Sequence, residues 1–433
     1  MAWKGDLVAR GGMTGVLGDV RDARNGNGDS CMMKPMILRS TCDPLADQPF
    51  EIVERKGLGH PDTICDAVME QVAVQLAQAY LKICGRVLHF NADKGLLVAG
   101  EVDCRPGGGH VITPMRLVMG DRATFEWRKK RVPVEEIAER VASTWFRQHL
   151  PHVDPLKHLT CQVELKPAPA ELQSVSERRG GPVANDTSAA VGYAPFTPTE
   201  RLVFQVEQFL NSASFKKAFQ DTGQDVKVLG VRTRGQVTLT VAMPLLASAI
   251  RTESQYFARM AEVLKALQSF VKQKAGPRLS AEVTLNALDR RGAGVEGMYL
   301  SLLGTSAEAG DSGEVGRGNR VCGVISLRRP ASAEAAAGKN PVAHVGKIYN
   351  VLAHVLAEQI HRNVKGLREA TVWLTSQIGR PVSSPQFVMA EVHLAQGVSL
   401  ASVEPLIGRQ VQQALRRMTP FCGALAKGVY AVC

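Results

Sequence analysis

Aromatic side chains are scarce, 5% of the 433 residues. That leaves little for the stacking platforms that hold single-stranded nucleic acid. The nine cysteines are odd in number and contain no CxxC pair. A zinc site or a disulfide framework is therefore not expected, and they read as reduced thiols of a cytosolic protein. No apolar run approaches the length of a membrane span. Residues 1–36 carry Lys4, Arg10, Arg21 and Arg24 without a continuous apolar segment, so no secretory signal is expected. Asp6, Asp19, Asp22 and Asp29 weigh against a transit peptide, and the segment reads as a flexible tail. The chain also lacks GxxxxGK[ST], and no GxGxxG opens a helix after a strand. A Walker A loop and a Rossmann fingerprint are excluded.

What is present is an ordinary globular composition, with 45% hydrophobic and 21% charged residues. The length gives room for roughly two to four domains. The formal net charge of +11 favours an anionic ligand, although most of the basic residues are scattered as on any solvated surface. A basic nucleic-acid-binding protein is the reading that this charge alone supports.

The densest chemistry lies in Ser306–Asn350. There DSGEVGRGNR (Asp311–Arg320) supplies Arg317 and Arg320, and EAAAGKNPVAHVGKIYN (Glu334–Asn350) supplies Lys339, His344 and Lys347. Arginines, lysines and helix N-termini attract phosphate oxygens, so the stretch reads as a polyphosphate site.

Along the chain, EIVER (Glu51–Arg55) alternates as a strand and runs into KGLGHPDTICD. Pro61 suits the first helical position and Asp62 the first turn. Ile64, Val68, Val72, Leu76 and Leu81 form a helical stripe to about Cys84. NADKG (Asn91–Gly95) reads as a polar loop between strands Arg86–Phe90 and Leu96–Val102. Strands are expected at Val111–Met119, Leu159–Pro167, Val226–Leu245 (two, turning at Arg234–Gly235), Leu279–Leu288, Gly297–Leu303, Ala370–Leu374 and Phe387–Val392. Helices are expected at Val134–His149, Glu200–Leu210 with Thr199 as cap, Gln255–Gln273, Lys347–His361 and Val403–Arg417. Glu177–Pro182 is a polar break, and order is expected from about Phe50. The alternation predicts α/β or α+β subdomains.

ERKGLGHPDTICD, NADKGLLVAGEV, GGGHVITP, NDTSAAVGYAP, GTSAEAGDSGEVGRGNRV, RRPASAEAAAGKNPVAHVGKIYNVLA and SQIGRP occur in this order. The ordered set resembles the archaeal-type S-adenosylmethionine synthetases (methionine adenosyltransferases) from about Phe50 to the C-terminus. The resemblance implies three intertwined two-layer α/β subdomains in pseudo-threefold arrangement. The expected division is a tail at 1–36, then 37–165, 166–280 and 281–433. It implies a cytoplasmic homodimer with active sites at the subunit interface, taking ATP and L-methionine and using Mg²⁺ and K⁺. Methionine sulfur attacks C5′ of ATP and expels the triphosphate, which is hydrolysed to pyrophosphate and phosphate. No membrane and no nucleic acid is implied as a partner.

By the same resemblance His60 sits by the ATP O5′, Arg317 and Lys339 hold the triphosphate, and Asp62 and Asp93 serve a metal. Asp186 holds the nucleoside part, Asp311 faces the methionine ammonium, Glu101 lies near the methionine site, and His344 and Lys347 are polyphosphate contacts. The chain departs from the usual motifs at Phe90, Ala92, Lys94, Ala189, Ala190 and Ala343. Those departures support an alternative, a diverged ATP- or tripolyphosphate-binding relative with another thioether substrate or a non-catalytic partner subunit.

Overall fold

The structure is a computed structural model and describes residues 34–169, 183–277 and 279–433. Most of the expected tail and the Glu177–Pro182 break lie outside the described residues. Six long helices stand out among them: α1 Pro61–Cys84, α2 Val134–His149, α3 Pro198–Leu210, α4 Glu253–Ala275, α5 Val345–Asn363 and α6 Leu400–Arg416. No helix among the described residues is long and apolar enough to cross a membrane.

Three main sheets each pack against two of these helices. The first runs Gly313–Glu314, Asn91–Val98, Met115–Ala123, Leu159–Pro167, and buries its apolar face against α1 and α2. The second runs Ser280–Leu285, Gln236–Ala242, Lys227–Thr233, Phe50–Lys56, Ile325–Ser326, against α3 and α4. The third runs Met36–Arg39, Phe387–Leu394, Leu367–Thr375, Ala189–Ala194, against α5 and α6. Strands from all three expected subdomains therefore share sheets, which is the intertwining that the resemblance implies. The stretch after Asp311 ties the units together. Gly313 pairs with Leu97 in the first sheet, Ile325 with Glu54 in the second, and the chain then enters α5 of the third.

Several local expectations change. Order begins before Phe50, because Met36–Arg39 pairs in parallel with Met389–Val392. NADKG is strand rather than loop: Asn91–Val98 pairs with Met115–Ala123 through an irregularity between Asn91 and Lys94, while Arg86–Phe90 forms no strand. Such a bulge re-aims a side chain within a paired strand. The expected strand Val111–Met119 is two strands, Gly108–Thr113 and Met115–Ala123. Strand Gly297–Leu303 shortens to Leu300–Ser301. The cap of α3 is Thr197, which closes a capping box with Glu200. It places Pro198 at the first helical position, where its missing N–H costs nothing.

Candidate active site

Gly57 and Gly59 carry the chain from strand Phe50–Lys56 into α1. A Cβ at Gly59 would lie 2.5 Å from the Asp225 nitrogen, so only glycine fits this approach. His60 caps α1 by accepting the Asp62 amide on Nδ1 at 3.2 Å. Burial, reinforced by Lys56 and Lys227, holds its imidazole down at about 4 despite Asp62. His60 is therefore neutral at pH 7, and with Nδ1 accepting it carries its proton on Nε2. Asp62 receives the Glu314 amide at 2.9 Å and the Lys56 ammonium at 2.9 Å. Lys56 also bonds the carbonyl of Arg317 at 2.7 Å, so the GHPD corner and the glycine-rich loop form one unit. The Arg317 side chain is exposed beside it.

A second group lies two turns along α1. Lys339 is buried and paired to Asp93, with Glu334 at 3.5 Å. Burial would raise the Asp93 carboxyl, but Lys339, Asn91 and Lys94 surround it and the result is a pKa well below the usual range. Lys347 is wholly buried against Glu70 at 2.6 Å. His344 caps α5 by accepting the Gly346 amide, and points Nε2 at Asp186, 3.9 Å away. Burial and Lys339 hold His344 at about 4. Asp186, Glu334 and His344 each offer a donor atom within 4.8 Å of one another. Burial and the neighbouring Glu334 both raise the Asp186 carboxyl, the electrostatic condition that a bound cation relieves. His344 presents Nε2–H rather than a lone pair, so the donors suited to a cation are the two carboxylates, a hard oxygen pair.

A third group borders these. Asp311 is exposed, and its amide bonds the Ser306 carbonyl at 3.0 Å. The Ser306 amide bonds Asp225, a buried acid pushed up to about 6 chiefly by burial, with Asp311 adding to it. Gly100 donates to the Ala307 carbonyl and Ala99 to Ser312 Oγ, both at 3.0 Å, which brings Glu101 beside the same loop. Glu101 itself is exposed.

The sequence-derived residues thus fall into three adjoining groups. His60, Asp62 and Arg317 form one; Asp93, Lys339, His344, Lys347 and Asp186 form another; Asp311 and Glu101 form the third. Asp62 and Asp93 face lysines, and it is Asp186 and Glu334 that stand together. Lys56, Asp66, Glu70, Asp225 and Glu334 were not anticipated. The spacing of Asp62, Asp66 and Glu70, four residues each on one helix face, is a signal that would have found two of them. Glu334 carried no such signal.

The family model for S-adenosylmethionine synthetase (AdoMet synthetase) matches residues 36–429. The chain belongs to the S-adenosylmethionine synthetase family. A probable S-adenosylmethionine synthase of Aquifex aeolicus is 38% identical over 405 residues, 93% of this chain and 100% of that protein. The S-adenosylmethionine synthase of Aeropyrum pernix is 43% identical over 372 residues, 84% and 91% of the two chains. The fold is also similar to an unusual S-adenosylmethionine synthetase from Campylobacter jejuni, with a TM-score of 0.57 at 13% identity over 88% of this chain and 94% of that one.

Within this synthetase chain the departures from the usual motifs lie largely in packing. Phe90 is fully buried and stacks on Tyr80 at 5.8 Å, and Ala92 is fully buried with its amide on the Gly338 carbonyl. Ala343 is buried and receives the Asn185 amide on its carbonyl. Ala190 is buried; Ala189 is exposed at the start of its strand. Lys94 adds an ammonium 2.7 Å from Asp93 and 3.7 Å from Asp121.

Proposed function

We infer that the chain is a methionine adenosyltransferase that forms S-adenosylmethionine from ATP and L-methionine. The observation that carries this is the convergence of Lys339, Lys347, His344 and the carboxylates Asp186 and Glu334 at one point, in a member of the synthetase family.

The reaction needs no nucleophile from the protein. The thioether sulfur gives an electron pair to C5′, the C5′–O5′ bond breaks, and the triphosphate leaves with that pair while sulfur becomes a sulfonium. No proton is removed from sulfur, so a catalytic base has nothing to do at this step. What remains is alignment and stabilisation of the departing charge. His60, neutral with its proton on Nε2, serves as a hydrogen-bond donor to O5′ rather than as a cation. Arg317, Lys339 and Lys347 take up the triphosphate charge. The exposed carboxylates of Asp311 and Glu101 suit the methionine ammonium.

Asp186 and Glu334 would hold Mg²⁺, with the His344 Nε2–H facing Asp186 from 3.9 Å. When bound, the ion neutralises phosphate oxygens and favours loss of the leaving group. K⁺ activation, a cytoplasmic location and a homodimer belong to the same proposal.

The burial of Phe90, Ala92 and Ala343 favours this reading over a changed substrate, since these side chains act in packing. Purified protein incubated with ATP, methionine, Mg²⁺ and K⁺ is expected to yield S-adenosylmethionine by mass spectrometry. No product above a His60→Ala, Lys339→Ala control would overturn the assignment.

A further inference from the structure

Asp62, Asp66 and Glu70 lie four residues apart on α1 and so share one face, spread over about 12 Å of helix. Each receives a backbone N–H from the loops that carry the phosphate cations. Asp62 takes Glu314 at 2.9 Å, Asp66 takes Gly316 at 2.9 Å and also Gly318, and Glu70 takes Gly338 at 3.2 Å together with the Lys347 ammonium. Gly316 and Gly318 flank Arg317, and Gly338 precedes Lys339. We propose that Asp66 and Glu70 are positioning residues, Asp66 setting the register of Arg317 and Glu70 that of Lys339 and Lys347. The proposal rests on the reading of these three cations as triphosphate contacts.

Arg317 makes no side-chain hydrogen bond or ion pair among the described residues. Its placement is therefore set by its backbone, and Asp66 grips that backbone on both sides. The grip is close: a Cβ on Gly318 would lie 2.2 Å from Asp66 Oδ2, and one on Gly313 2.2 Å from the Pro61 carbonyl. Asp66 and Glu70 are 2% and 7% exposed. Left without an acceptor, each of these loop amides would cost about 1–3 kcal/mol, so the contacts hold the loop backbone to the helix face. What the carboxylates add is fixed acceptors for the amides beside each cation. Glu70 adds a counter-charge that keeps the wholly buried Lys347 paired.

The test uses full-length Asp66→Asn and Glu70→Gln. Each keeps the side-chain volume and one acceptor oxygen and replaces the other oxygen with an NH2 donor. Thermal melts, kcat and the KM for methionine are measured, and tripolyphosphate binding is followed by calorimetry with Mg²⁺ present. Expected is a Tm close to wild type for Asp66→Asn and a lowered Tm for Glu70→Gln, which leaves the buried Lys347 without its counter-charge, with a methionine KM within about twofold for both. The kcat falls by about tenfold or more, because small misplacements cost this much, and tripolyphosphate binds about fivefold or more weakly. Wild-type kcat and tripolyphosphate affinity overturn the role of that residue. So does a loss in which Tm and methionine affinity fall along with kcat, which marks a packing role. If wild-type protein makes no S-adenosylmethionine, the failure belongs to the proposed activity, and the tripolyphosphate comparison still decides the positioning role.

Discussion

The Lys347 ammonium lies 2.6 Å from the Glu70 carboxylate, and the lysine side chain is wholly out of solvent. Burial pushes the carboxyl up and the ammonium down, and each charge opposes the shift of the other. Removing one partner strands the other, which costs about 3–5 kcal/mol when a buried pair is broken. Lys347→Met is therefore expected to lower the unfolding free energy measured in urea by an amount of that order. Glu70→Leu combined with Lys347→Met should recover most of it. A single variant as stable as wild type would show that the pair is not coupled.

The cation site leads to a second expectation. Asp186 and Glu334 provide the oxygen pair, while His344 is committed to its Gly346 amide on Nδ1. Asp186→Asn and Glu334→Gln should each raise the Mg²⁺ concentration at half-maximal rate by about tenfold or more, since each removes one charged oxygen ligand. His344→Asn should raise it less. Titrating the rate with Mg²⁺ at saturating ATP and methionine checks the order. A larger effect of His344→Asn than of either carboxylate would place the ion elsewhere.

How much of this was legible in the sequence follows from how local each cause is. The amphipathic spacing of Val134–His149 and the turn at Arg234–Gly235 act within a few residues, and helix and hairpin form there as expected. NADKG misled because its composition is that of a turn. In the fold, Ala92 and Asp93 are buried and the segment pairs with Met115–Ala123, so tertiary pairing outweighs local preference. Strand Met36–Arg39 was missed because its partner lies some 350 residues away, at Met389–Val392. At the site, Lys339 and His344 were visible as residues in a motif. Their partners Asp93 and Asp186 come from distant segments that no spacing links to them, and Glu334, five residues before Lys339 in the same stretch, is brought to it by the loop's path.

Acid should reveal the neutral histidines. His344 is held at about 4, below the ordinary 6.5, so the unfolded chain takes up a proton first as pH falls. The stability it contributes is present above pH 6.5 and is lost as pH drops towards 4, roughly 3 kcal/mol when complete. Asp66, Asp121 and Asp225, pushed up mainly by burial to about 7, 6 and 6, act in the opposite sense over the overlapping window. The informative quantity is thus the difference between wild type and His344→Asn. Their Tm values should converge on going from pH 7.5 to pH 5, as wild type alone loses this contribution. Parallel Tm curves over this range would show that His344 is not held neutral.

Gly338 sets how closely the Lys339 loop lies on its strand. Its φ is +76°, its carbonyl accepts the Ala92 amide at 3.0 Å, and a Cβ there would sit 2.2 Å from the Ala92 carbonyl oxygen. The Ala92 atoms it would meet are backbone, so the clash cannot be relieved by turning a side chain. Gly338→Ala must move the loop, and with it the Lys339–Asp93 pair. Gly379 is the control, with φ of +83° and open space around it. Gly379→Ala carries only the left-handed penalty, about 1 kcal/mol. Gly338→Ala should lose more than twice that, with kcat down about a hundredfold from the displaced lysine. Denaturant melts and steady-state rates on the two variants decide the matter. If Gly338→Ala costs no more than Gly379→Ala and keeps full kcat, the close approach of this loop to Ala92 does not position Lys339.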